Sequence, residues 1–235
     1  MRALLWAAAL LALSACTTPP VAPVASISAA DGVLTFDGPI QPGSLEKVQQ
    51  AVASQSIHTL KIRSGGGSVI EAIGIARWMH GNGVNVVVYG GCFSSCANYI
   101  FPAGKEKHIV NGGIVGWHGS FEHRVYQHKQ GVNVVDKDEL AQFELIARRE
   151  RALYAELGVN GYLAWFAKIA PYKVYNMYFL SKEDMEYFGL TGLHVRADYL
   201  STDLARWNSR EKDTLQLVHV DRSVTNSSDP HWEKQ

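Results

Sequence analysis

Apolar and polar positions alternate most regularly in the middle of the chain. Val69, Ala72, Ile73, Ala76 and Met79 recur at spacings of three and four, which predicts an amphipathic helix from Val69 to His80. Gly81-Asn82-Gly83 stops it. Val84 to Tyr89 (VNVVVY) is then nearly continuous in apolar residues, as suits a strand in a sheet covered on both faces. The same reasoning predicts strands at Val33–Phe36 and His58–Ile62, and between them a helix from about Leu45 to Ala53 capped by Ser44. A short apolar helix should follow Cys96 and run to about Pro102. Farther on, short strands are expected at Lys107–Val110 and Ile114–Trp117, a loop at Phe121–Val135 and a long helix at Asp136–Leu157. A helix at Tyr162–Ala170 should stop before Pro171. A short helix should open at Ser181, with Asp184 at the capping-box position, and lead to a strand near Val195. Beyond Trp207 the chain is polar and irregular, apart from a strand at Leu215–Val220.

Strands alternating with helices predict an α/β fold, a mainly parallel sheet flanked by helices. Sites in such folds lie outside the carboxyl ends of the strands. Two Gly-rich junctions, after Ile62 and after Tyr89, fall at such ends.

Composition narrows the function. With 22 basic and 22 acidic residues the chain has no basic excess, so nucleic acid is not an expected partner. The loop Ser64-Gly65-Gly66-Gly67-Ser68 has no Lys-Ser/Thr to complete a phosphate-binding loop, and Ile70 stands where a dinucleotide fingerprint needs its third glycine. No cofactor is therefore expected. Cys92 and Cys96 are too few for a structural zinc site, and no metal is expected. In an oxidising compartment they could pair if the backbone turns between them, or they could stay two free thiols.

The first residues bear on compartment. Met1-Arg2 supplies one positive charge, and Ala3–Leu13 is an apolar run too short to span a bilayer but suited to a secretory signal. It ends in Leu13-Ser14-Ala15-Cys16, which resembles the bacterial lipobox. That resemblance implies cleavage before Cys16 and acylation of its thiol. Residues 1–15 are then a signal peptide and 16–30, rich in Pro, Ala and Ser, a tether. Residues 31–200 form the domain and 201–235 a polar C-terminal extension. Thr17, where Asp would favour the inner membrane, implies the periplasmic side of the outer membrane.

Three features could carry chemistry. Ser95 stands at a strand-to-helix junction, where free N–H groups would face a developing oxyanion. Ser94 or Ser95 could equally be a helix cap there, and the G-x-S-x-G elbow of α/β hydrolases is incomplete. His118, at the end of an apolar strand, suits a general base or a structural role. The Ser64–Ser68 loop suits a tight turn or an oxyanion hole.

Their order resembles one family. The run Ile62–Val69 with its helix, the junction Gly91–Ala97, the strand Ile114–His118, and Phe179-Leu180-Ser181 with Tyr187-Phe188-Gly189-Leu190 together resemble the proteolytic subunit of the Clp protease, collinearly over about Val33 to Val195. The resemblance implies the ββα-superhelix of the Clp-protease/crotonase type. It implies Ser95 as nucleophile, His118 as general base, and backbone N–H groups of Gly67 and Cys96 as the oxyanion hole. The family's catalytic Asp falls at Met177, which cannot orient a histidine. Adjacent Asn176 could do so, Asp184 is the nearest following carboxylate, and a dyad or an inactive binding or scaffold lipoprotein are the alternatives. Exported relatives carry Cys-x-x-x-Cys around the serine, so a Cys92–Cys96 disulfide would rigidify that loop. The implied function is a membrane-anchored periplasmic serine hydrolase, a peptidase acting on peptides or unfolded protein. Self-association is implied as well, with Asp136–Leu157 the counterpart of the helix that locks the family's rings.

Overall fold

A computed structural model of the protein describes residues 23–201 and 215–222. The signal segment and Cys16 lie outside the described residues. Strands β1 (Ser26–Ala30) and β2 (Val33–Asp37) form an antiparallel hairpin. It turns on Asp31-Gly32, both at positive φ (50° and 75°), the conformation that an Asp-Gly hairpin favours. The stretch expected to be tether thus joins the sheet from Ser26 onward. From β2 the sheet continues in parallel through β3 (Thr59–Ser64), β4 (Asn85–Phe93), β5 (Lys107–Ile109) and β8 (Leu193–Val195). The far half of β4, Gly91–Phe93, instead pairs with β6 (Ile114–Gly116). The protein is therefore α/β, with a mostly parallel mixed sheet flanked by helices.

Helices α1 (Ser44–Val52) and α2 (Val69–Gly81) carry the chain from β2 to β3 and from β3 to β4. Ser44 is the first residue of α1 rather than its cap, because its hydroxyl accepts the Gln41 N–H (2.9 Å) and Gly43 takes the cap position. Leu34, Phe36, Leu60, Ile62, Val86 and Val88 alternate along three adjacent strands and are fully buried. Among the described residues no second layer closes the opposite face at β4, where the apolar run leads one to expect cover on both faces. Val87 and Tyr89 are half-buried, and Lys61 and Arg63 lie over the Tyr89 ring at 4.8 and 5.7 Å. Long cationic side chains cover apolar surface there with their stems.

Three elements differ from expectation. The loop after His118 contains a helix, α4 (Phe121–Lys129), whose Phe121 and Val125 pack with Phe143 and Ala147 of α5 (Lys137–Leu157). Two apolar residues four apart make too narrow a stripe to stand out among charged neighbours. The helix expected at Tyr162–Ala170 is two 3₁₀ turns, Gly161–Ala164 and Phe166–Lys168. Tyr162, Trp165 and Phe166 pack edge-on there, and Phe166 meets Tyr178 and Phe188, so tertiary contacts set the tighter winding. Finally, β7 (Met177–Leu180) is a strand that the sequence reading did not contain; it pairs in parallel with β9 (Leu215–Val218), the strand expected at Leu215–Val220. Ser181 caps α6 (Lys182–Tyr187) by accepting the Asp184 N–H at 3.1 Å, as expected of the N-cap, while the Asp184 carboxylate takes the Ser181 hydroxyl. No described helix is long and apolar enough to cross a membrane.

Candidate active site

The carboxyl ends of β3, β4 and β6 meet at one edge of the sheet. Ser64 pairs with Cys92, Phe93 pairs with Gly116, and the Ser94 N–H donates to the Gly116 carbonyl at 3.1 Å. Trp117 then bridges Tyr178 in antiparallel fashion, which leaves His118 on the exposed rim beside the end of β4. There His118 Nε2 lies 2.7 Å from Ser94 Oγ.

The serine that meets His118 is thus Ser94, while Ser95 faces the other way. Ser95 is 3% exposed, and its hydroxyl donates to the Gly67 carbonyl at 2.8 Å. It makes no side-chain cap to the following helical turn, Cys96–Ile100, which runs on into α3 (Phe101–Ala103). The two serines diverge because Ser94 has φ 56°, the left-handed region, so the chain turns sharply between strand and helix. A nucleophile on a strained strand-to-helix turn is the mechanical principle of the hydrolase elbow. Here cysteines, not glycines, stand two residues before and after the serine. Cys92 and Cys96 form a disulfide with Cα atoms 5.3 Å apart, both fully buried, closing a loop with Ser94 at its middle.

The glycine loop packs against this turn. A Cβ on Gly66 would come within 2.6 Å of the Phe93 carbonyl and 2.8 Å of Ser94 Cβ. One on Gly67 would lie 2.1 Å from the Ile40 carbonyl, so both positions need the bare backbone. Ile40 bonds to Gly66 and Ser68, which leaves the Gly67 peptide groups out of that bridge. The Gly67 carbonyl takes the Ser95 hydroxyl, and its N–H has no acceptor among the described residues. Beside the loop opens a cleft of about 530 Å³ lined by Pro39, Arg63, Gly65, Gly66, Gly91 and Phe93. At its rim Arg63 forms an ion pair with Asp37, and that bond holds the Asp37 carboxyl below its usual range.

Two further candidates, Asn176 and Asp184, flank β7. Asn176 immediately precedes β7, and its carbonyl accepts from Lys168 Nζ at 2.9 Å. The Trp117–Tyr178 bridge sets Met177, not Asn176, across from His118. Asp184 lies in α6, buried, and its carboxylate accepts from Ser181 Oγ (3.0 Å) and the Val220 N–H (3.3 Å) and meets His219 Nδ1 at 3.0 Å. That carboxylate is committed to the C-terminal segment. His123, one of the polar residues of the stretch expected to be a loop that covers the site or meets a partner, lies instead in α4 and stacks on Trp165, ring centroids 5.6 Å apart. Burial, helped by the positive charges of Lys168 and Arg124 and by His118, lowers its pKa to about 4. No cluster of three or more His, Cys, Asp or Glu able to hold a metal occurs among the described residues. No family model matches the chain, and no curated protein matches it.

Proposed function

We propose that this protein is a serine hydrolase of the Clp-protease/crotonase type in which Ser94, not Ser95, is the nucleophile and His118 the general base. The observation that carries this reading is the 2.7 Å contact between His118 Nε2 and Ser94 Oγ on a rim open to substrate. Ser94 Oγ attacks an acyl carbonyl as His118 Nε2 takes its proton, and the imidazolium returns that proton to the leaving group. Water then repeats the sequence on the acyl-enzyme. The N–H of Gly67, together with those of Ser95 and Cys96 in the first turn after the nucleophile, would serve the oxyanion. Asn176 stays the proposed orienting residue for His118, acting from the segment that leads into β7. Peptide or unfolded protein is the proposed substrate, consistent with an open cleft whose floor is glycine backbone. Cys16 would carry the lipid that hangs the domain on the periplasmic side of the outer membrane, and the domain would self-associate as the family does.

The test is a fluorophosphonate probe applied to the full oxidised chain in mild detergent, with the adduct mapped by mass spectrometry. Labelling is expected at Ser94, lost in Ser94→Ala and His118→Ala and retained in Ser95→Ala. A label on Ser95 would overturn the assignment of the nucleophile. No label on the folded protein would leave a binding module of this fold.

A further inference from the structure

Two buried side chains outside the Ser94–His118 pair, Asn98 and Glu150, bind the chain just after His118, and two buried tyrosines, Tyr99 and Tyr154, bind those two residues in turn. Asn98 lies one turn beyond Ser94, its N–H donating to the Ser94 carbonyl at 2.8 Å, and its Nδ2 donates to the Gly119 carbonyl at 2.9 Å. Glu150 reaches from the middle of α5 to the start of α4. Its carboxylate accepts the N–H groups of Phe121 (3.0 Å) and Glu122 (2.9 Å) and the hydroxyl of Tyr99 (2.5 Å), which belongs to the helical turn that Ser94 opens. Tyr154, one turn farther along α5, donates its hydroxyl to the Asn98 carbonyl at 2.9 Å. Glu150 is 1% exposed, Tyr99 1%, Asn98 3% and Tyr154 4%.

A carboxylate so deeply buried is costly unless its oxygens are satisfied. Here three donors converge on it, two of them at the positive end of a helix. Ser120 accepts the next N–H, from His123 at 3.3 Å, so every free donor of the first turn of α4 is bound. That turn cannot slide without unpairing a buried carboxyl group. His118 lies three residues before Phe121, and the carbonyl of Gly119 between them is held by Asn98.

We propose that Glu150 is a positioning residue for His118: its carboxylate clamps the first turn of α4 to Tyr99, and so holds the imidazole against the Ser94 hydroxyl. For its chemical consequence this rests on Ser94 and His118 acting as nucleophile and base. Glu150→Gln keeps the shape but offers one acceptor oxygen where the carboxylate offers two. In the full oxidised chain the rate of fluorophosphonate labelling at Ser94 should fall by about ten- to a hundredfold, the scale of an ångström's misplacement of a catalytic group. The same substitution in a His118→Ala background, with labelling driven by excess imidazole, should change the rate less than about twofold, because the effect runs through His118. An equal loss in both backgrounds, or no loss in the first, would overturn the proposal. A wild-type chain that takes no label at Ser94 would instead count against the hydrolase reading. The ¹⁵N shift of His118 Nε2, which reports its hydrogen bond to Ser94, then decides the clamp: moved by Glu150→Gln it stands, unmoved it falls. Should that variant fail to fold, Tyr99→Phe removes one donor to the same carboxylate and is judged by the same criteria.

Discussion

Ser94, in the left-handed region, should make this protein more stable with glycine than with alanine at position 94. Ser94→Gly and Ser94→Ala both delete the hydroxyl, so both lose the 2.7 Å contact with His118 and both should be unreactive. What separates them is the backbone, held at φ 56°. An alanine in that region costs roughly 1–2 kcal/mol because its Cβ crowds the following carbonyl oxygen, and glycine has no such penalty. Against this, glycine at an ordinary position costs about 0.5–1 kcal/mol relative to alanine through the freedom of the unfolded chain. The Cys92–Cys96 bond persists in the oxidised unfolded state and restricts the loop, which reduces that opposing contribution. The glycine variant should therefore be the more stable by about 1 kcal/mol, or roughly 2–4 °C in melting temperature for a domain of this size. Urea denaturation under non-reducing conditions, followed by tryptophan fluorescence, measures the difference. An alanine variant as stable as the glycine variant would refute the strained turn, and with it the reason that Ser94 rather than Ser95 meets His118.

Replacing both Cys92 and Cys96 with alanine should cost about 2 kcal/mol, the chain-entropy value for so short a loop, and should slow labelling of Ser94; an unchanged urea midpoint would count against it. His123 is held neutral in the fold at a pKa of about 4, below its unfolded value near 6.5. Its contribution is therefore complete above pH 6.5 and lost as pH falls through 4, by up to roughly 3 kcal/mol; His123→Phe should flatten the acid limb of a melting-temperature profile measured between pH 7 and 4. Asp184→Ala removes the acceptor for the Val220 N–H and the partner of His219, and should raise amide exchange in Leu215–Val218 at least about tenfold if β9 is held from there.

How much of this could be read in the sequence depended on what held each element in place. α2 and β4 were readable because their side chains carry the pattern of the core: Ala72, Ile73, Ala76 and Met79 are buried as their spacing requires. β1 (SISAA) was not, because small residues at an edge are held by backbone pairing with β2, which leaves no periodic mark. α4 hid for a related reason, since its start is set by Glu150, a residue about thirty positions away in sequence. At the site, His118 could be found from the apolar strand that ends in it, whereas the serine beside it could not be told from its neighbour. Ser94 and Ser95 are the same residue type, and a collinear comparison of motifs has no way to see a backbone angle. One positive φ at Ser94 decides which hydroxyl faces the rim and which turns under it toward Gly67. The sequence did hold one sign of that angle. Cys92 and Cys96 lie two residues to either side of Ser94 and not of Ser95, and a disulfide over so short a span requires the chain to reverse at its middle. A serine centred between two paired cysteines can thus be read as a stapled elbow, with the covalent bond maintaining the bend that glycines at the same spacing would merely permit.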